Sequence, residues 1–141
     1  MQFFTNRVAL LLALSTAVLG ATTTDSGYAD SCRNLDVYAP NTDTNGNKPY
    51  YELYGSCKGY GAFEPPTNLR LDYCLGNSKG RLTAQKGKPL EAGCRNFTLT
   101  GSVLFANCDN GKGNFTATSF DLNTIVGNEQ GVLTCYGKTG A

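Results

Sequence analysis

The sequence has no histidine and no Cys-x-x-Cys. Without an imidazole, neither a Ser-His-Asp nor a Cys-His arrangement can be assembled. The common zinc-ligand sets are missing as well. Charge of one sign is also absent: 12 Lys and Arg face 11 Asp and Glu, with no basic block and no acidic tail. Such a chain does not track phosphates, so nucleic acid is not an expected partner. Beyond residue 21 no apolar run approaches the roughly 20 residues that a membrane span needs. The end, "CYGKTGA", lacks the apolar tail of a lipid-anchor signal.

The first residues carry the one long apolar run. Arg7 precedes an apolar stretch over residues 8–14 that continues to Leu19, and the small residues Gly20 and Ala21 follow. Residues 1–21 therefore read as a secretory signal peptide. The expected product is soluble and extracellular. It has roughly 115–120 residues, the size of one domain. Six cysteines, all in this part, suit three disulfides in an oxidising compartment. "NFT" occurs twice, making Asn96 and Asn114 acceptors for N-linked glycan.

What the chain does contain is a repetition. "CRN" occurs at residues 32–34 and again at 94–96. Downstream, "LGNSKGRL" at residues 75–82 is matched by "VGNEQGVL" at 126–133. Cys57 and Cys108, Gly76 and Gly127, and Leu82 and Leu133 are each 51 residues apart. Cys32 and Cys94 are 62 apart, and the extra residues fall in "VYAPNTDTNGNKP", which has the composition of a long hairpin tip. The chain is a tandem duplication with one loop insertion: an N-terminal segment over residues 22–30, then one domain over 31–138, with repeats at 31–88 and 89–138. Two copies are too few for a solenoid, so a closed pseudo-two-fold domain is expected.

Frequent glycine, with Tyr, Phe, Thr and Val in short segments, predicts an all-β fold with many turns. "NFTLTGSVLFANC" reads as a hairpin with its turn at "GS", which sets Cys94 opposite Cys108 across the open end. Cys32 and Cys57 end the equivalent, longer hairpin. Closing about 14 residues is worth about 3 kcal/mol and closing about 25 about 3.5, so the insertion hardly weakens the staple. Leu122 and Ile125, and their counterparts Leu71 and Cys74, suit a single 3₁₀ turn. Gly76-Asn77 and Gly127-Asn128 are predicted to end these turns in left-handed conformations.

The remaining cysteines bear on topology. Cys74 aligns with Ile125, and Cys135 with Ala84. If each turn packed on its own copy's last strand, two thiols would be stranded. If the last strands are exchanged between copies, Cys74 meets Cys135, and Ile125 meets Ala84 as a large-with-small pair. Six cysteines allow 15 pairings, and this register selects one.

From about Ser31 to about Lys138 the chain resembles the cyanovirin-N family of lectins. The resemblance is carried by "CRNFTLTGSVLFANC", "SFDLNTIVGNEQGVLTCYGK", "SCRN", "LRLDYCLGNSKGRL" and "GCRN". It implies triple-stranded sheets and hairpins, with each half borrowing its last strand. It also implies binding of mannose-rich oligosaccharides or glycoproteins, with no metal, no cofactor and no catalysis. A monomer is expected, and the same exchange run between chains would give a domain-swapped dimer. Cys74 and Cys135 go beyond the family's usual two disulfides.

Sugar hydroxyls both donate and accept, and a cleft of amides, carboxylates and backbone groups can satisfy them. Carried over from the family, one cleft draws on Asn77, Ser78, Lys79, Glu91, Asp109 and Asn110. The other draws on Asp30, Ser31, Lys58, Asn128, Glu129 and Gln130. The family's turn reads asparagine, any residue, aspartate, glycine, whereas here Lys79 and Gln130 replace the aspartate. Asn77 and Asn128 are also turn residues, and Glu91 and Asp109 also read as solvated loop charges. Tyr50, Tyr51 and Tyr54 belong to a strand, while Tyr60 has a ring able to stack on a sugar. Two other functions compete. Glu91 and Asp109 could serve as a hydrolytic carboxylate pair, but no apolar pocket is evident to raise one pKa. A secreted interaction or effector protein could keep the fold and lose the sugar sites.

Overall fold

The structure, a computed structural model, describes residues 25–41, 50–85, 90 and 93–141. The signal-peptide segment, the inserted hairpin tip around residues 42–49 and Glu91 lie outside the described residues. After a 3₁₀ turn at Tyr28–Asp30, strands β1 (Cys32–Asn41), β2 (Tyr50–Cys57) and β3 (Pro66–Arg70) form an antiparallel sheet. A 3₁₀ turn at Leu71–Tyr73 leads to the hairpin β4 (Leu75–Ser78) and β5 (Arg81–Ala84). The pattern then repeats. Strands β6 (Cys94–Thr100), β7 (Val103–Asp109) and β8 (Phe115–Asp121) make a second sheet, and a turn at Leu122–Thr124 precedes β9 (Gly127–Glu129) and β10 (Val132–Cys135). A short β11 (Lys138–Thr139) pairs with β10.

The hairpins are exchanged. The Leu82 amide of β5 donates to Thr118 Oγ1 of β8 at 3.1 Å, and the Leu133 amide of β10 donates to Thr67 Oγ1 of β3 at 3.2 Å. Each hairpin thus caps the sheet of the opposite repeat. Three disulfides join Cys32 to Cys57, Cys94 to Cys108 and Cys74 to Cys135. The partner positions Ile125 and Ala84 do not make the expected core pair: Ala84 is exposed, while Ile125 packs against the core. The cysteine pair is buried and its pseudo-symmetric counterpart is not.

The doubled "CRN" has a backbone cause. Asn34 and Asn96 sit at φ +54° and +57°. Each falls at a register shift, between Arg33 and Asp36 in β1 and between Arg95 and Thr98 in β6. These are β-bulges whose extra residue is left-handed, a conformation that asparagine tolerates better than most side chains. In the first copy the bulge presses Leu35 over Gly55, where an added Cβ would lie 2.7 Å from Leu35 Cδ2. The neighbouring arginines also correspond: Arg33 forms an ion pair with Glu64, and Arg95 lies 3.6 Å over the Phe115 ring.

The core lies between the two sheets and their borrowed hairpins. Leu53, Leu69, Leu71, Leu75, Leu104, Leu122, Val126 and Leu133 are fully buried. Tyr51 packs on Phe97 with ring centroids 4.0 Å apart, joining the two sheets. Tyr28 is also fully buried, and its hydroxyl has no hydrogen-bond partner. Burial, and next the Asp121 carboxylate, push its phenol far above the ordinary tyrosine range.

Candidate functional site: two pseudo-symmetric clefts

The hairpin turns differ from expectation in one respect. Gly76-Asn77 and Gly127-Asn128 enter strands β4 and β9. The left-handed residues are instead Lys79 and Gly80 (φ +49° and +88°) and Gln130 and Gly131 (φ +53° and +94°). Two consecutive positive φ values in a two-residue hairpin loop make a type I′ turn, whose twist matches the strands. Asparagine 77 and its counterpart act through their side chains rather than their backbones.

Those side chains tie each borrowed hairpin to the opposite repeat. Asn77 Oδ1 accepts from the Gly80 amide at 2.9 Å, and Nδ2 donates to the carbonyls of Asp109 at 2.9 Å and Gly93 at 3.4 Å. Asn128 Oδ1 accepts from the Gly131 amide at 2.8 Å, and Nδ2 donates to the Lys58 carbonyl at 2.9 Å and Ser31 Oγ at 3.0 Å. The same floor lies beneath both: the Asp109 amide donates to the Gly93 carbonyl at 2.6 Å, and the Lys58 amide to the Ser31 carbonyl at 2.9 Å. Each cleft therefore sits where a hairpin tip meets the two chain segments flanking a hairpin disulfide.

The first cleft brings together Asn77, Asp109 and Asn110, with Ser78 and Lys79 exposed on the tip. A Cβ on Gly80 would lie 3.2 Å from Asn110 Cβ, which places Asn110 against the turn. Asp109 Oδ1 accepts from the Gly111 amide at 2.8 Å, and Asn110 Oδ1 from the Lys112 amide at 2.7 Å. The other Asp109 oxygen and the Asn110 NH₂ keep hydrogen-bonding capacity for a ligand. In the second cleft Asn128 meets Ser31 and Lys58 directly, and Glu129 and Gln130 are exposed at its tip. Asp30 is exposed at the end of the preceding 3₁₀ turn.

Three contributors were not found from the sequence. Gly93 offers only its carbonyl, which leaves no mark in residue type. Gly59 approaches so closely that an added Cβ would lie 3.0 Å from the Gln130 carbonyl oxygen. Phe63 stands beside it, 69% exposed, next to Tyr60, the ring that the sequence already offered for stacking, which is 78% exposed. Shallow surface hollows lie elsewhere, one over β6, β7 and β8 beside Asn96 and Phe105, and one where the chain end meets Asn68 and Arg70. Neither includes Asn77 or Asn128.

The model of the CVNH domain matches residues 90–141. No curated protein matches the sequence. Among solved structures, a CVNH protein of T. borchii is 25% identical, with 77% of this chain and 98% of that one covered at a TM-score of 0.59. A variant of MoCVNH3 in complex with (N-GlcNAc)4 is 14% identical, covering 78% of this chain and 97% of that one at a TM-score of 0.63. Microvirin in complex with mannobiose is 21% identical, covering 78% and 98% at a TM-score of 0.58.

Proposed function

We propose that this chain, whose residues 90–141 match the CVNH domain, is a secreted lectin of the cyanovirin-N (CVNH) kind that binds mannose-rich oligosaccharides or glycoproteins through one or both clefts, without catalysis. The observation that carries this reading is the twin framework of Asn77 and Asn128. Each asparagine fixes a hairpin tip against a disulfide-flanking segment, so that a cleft of neutral and acidic polar groups is held rigid before any ligand arrives. Rigid clefts lose little entropy on binding. The similarity to proteins solved with mannobiose and with (N-GlcNAc)4 supports the ligand class. Each neutral hydrogen bond nets only about 0.5–1.5 kcal/mol, so one cleft binds weakly and two on one body gain by avidity toward a branched glycan. Three disulfides support secretion, and Asn96 and Asn114, both exposed, are proposed glycan carriers. The protein is proposed to act as a monomer.

The test is a mannobiose titration followed by amide NMR. Mannose recognition requires saturable shifts at Gly80, Asp109 or Gly131, and no saturable shift up to millimolar mannobiose refutes it. One observation favours the second reading, a secreted interaction or effector protein. Both cleft asparagines already have their NH₂ groups engaged by the protein, and Lys79 and Gln130 supply no carboxylate. A glycan array empty of mannose-rich hits would select that reading.

A further inference from the structure

The two clefts share a backbone but not a surface. Residues 58–63 of one repeat correspond to 109–114 of the other. Both loops close with the same bond: the Gly59 amide to the Phe63 carbonyl at 2.9 Å, and the Asn110 amide to the Asn114 carbonyl at 2.9 Å. Their side chains have diverged. Asp109, Asn110, Gly111 and Asn114 stand where the first loop has Lys58, Gly59, Tyr60 and Phe63. The acceptor-rich loop borders the Asn77 cleft, and the aromatic loop borders the Asn128 cleft.

The rings are held out in water. The Phe63 amide reaches the Tyr60 carbonyl at 3.4 Å, so one tight turn carries both. Gly59 lets this turn settle against Gln130, beside the hairpin tip with Asn128 and Glu129. Large apolar groups left exposed beside convergent polar groups mark a binding surface rather than a fold requirement. Two rings on one short loop fall far short of the roughly 800 Å² per partner that a stable protein interface covers. They match one sugar ring. A pyranose with all its hydroxyls equatorial shows C–H groups on both faces and hydroxyls around its rim. With its face on one of these aromatic rings, such a sugar would turn its rim toward the side of the loop that carries Ser31, Lys58 and Glu129. An axial hydroxyl, as in mannose, interrupts one face.

We infer that the Asn128 cleft is specific for a β-linked pyranose of the all-equatorial gluco series, stacked on Tyr60 or Phe63, while the Asn77 cleft recognises hydroxyls without stacking. The inference rests on the lectin reading above and divides its two sites by chemistry. One chain then bridges two different sugars.

Cellotriose and mannobiose, titrated separately into isotope-labelled protein, test it. Cellotriose is expected to shift Gly59 and Gly131 and to leave Gly80 and Gly111 unmoved. Tyr60→Ser or Phe63→Ser should weaken that response by roughly fivefold to tenfold, the loss of one aromatic contact. Both residues are exposed, so the variants keep the fold, which unchanged Gly80 and Leu104 signals would verify. No cellotriose response at Gly59 and Gly131, or equal affinity in both variants, overturns the inference. A mannobiose response at Gly80 in that case leaves the lectin reading standing, whereas silence of both clefts toward both sugars removes it too. Concentration-dependent self-association abolished by Tyr60→Ser, without any cellotriose response, would assign the rings to a protein contact instead.

Discussion

The side-chain amide of Asn77 donates to the Asp109 carbonyl at 2.9 Å, across 32 residues of chain and from one repeat to the other. With the bonds to Gly80 and Gly93 it fastens the β4–β5 hairpin to the sheet that borrows it. Asn77→Ala removes all three and is expected to cost about 2–3 kcal/mol, at roughly 1 kcal/mol per bond. Asn77→Asp keeps the acceptor for Gly80 but turns a carboxylate toward two carbonyls, and should be the less stable of the two. Urea unfolding checks the order, and an Asn77→Ala variant within 0.5 kcal/mol of the parent would contradict it.

Lys79 and Gln130 occupy left-handed positions of type I′ turns, a conformation costing an ordinary side chain about 1–2 kcal/mol. Lys79→Asn and Gln130→Asn are therefore expected to raise stability by about 0.5–1 kcal/mol each, because asparagine suits the turn. Lys79→Val should lower it. Thermal unfolding of the three variants reads the sign directly.

The Cys74–Cys135 bond closes 61 residues between a turn of the first repeat and the last long strand of the second. Replacing both cysteines with alanine should remove about 4 kcal/mol by the chain-entropy estimate while the two hairpin disulfides remain. A loss under about 1 kcal/mol would mean that the exchanged hairpins hold without it.

Tyr28 is buried with its hydroxyl unpaired and its pKa raised. Folding therefore favours the neutral phenol. The parent keeps its full stability below about pH 10, the unfolded tyrosine range, and loses stability as pH rises above it. Tyr28→Phe should be neutral or stabilising by up to about 1 kcal/mol at pH 7, since it deletes an unsatisfied polar atom. It should also flatten the alkaline decline. An alkaline profile identical to the parent's would count against this account.

The long-range plan was legible because it left marks in residue type. Cysteines at positions 74 and 135, set against a constant offset, encode the exchange of hairpins. What was not legible acts through the backbone. Asn34 and Asn96 were visible as a repetition, but nothing in the spacing announced a bulge. Gly76-Asn77 carries the residues of a turn yet enters a strand, because the asparagine reaches its partners by side chain while Lys79 and Gly80 bend the chain. The partners themselves are mostly carbonyls, at Gly93, Asp109 and Lys58, and a carbonyl belongs to every residue. Ala84 was matched to Ile125 by register, but the two-fold is approximate there and Ala84 stays at the surface. Asn77 and Asn128 do meet the disulfide-flanking segments that the sequence grouped with them, at Asp109 and at Lys58. The divergence of their loops became meaningful only once both were seen to share one backbone.

Exchange of the hairpins also governs the order in which the molecule can be completed. The bond from Asn128 to Ser31 spans 97 residues, and that from Thr134 to Asp25 spans 109. The three-stranded sheets are built from neighbours and can form as the chain leaves the ribosome, but the first sheet waits for the final hairpin to be synthesised. During that interval its edge is uncovered, and the hairpin that covers it comes from the same chain at a high effective concentration.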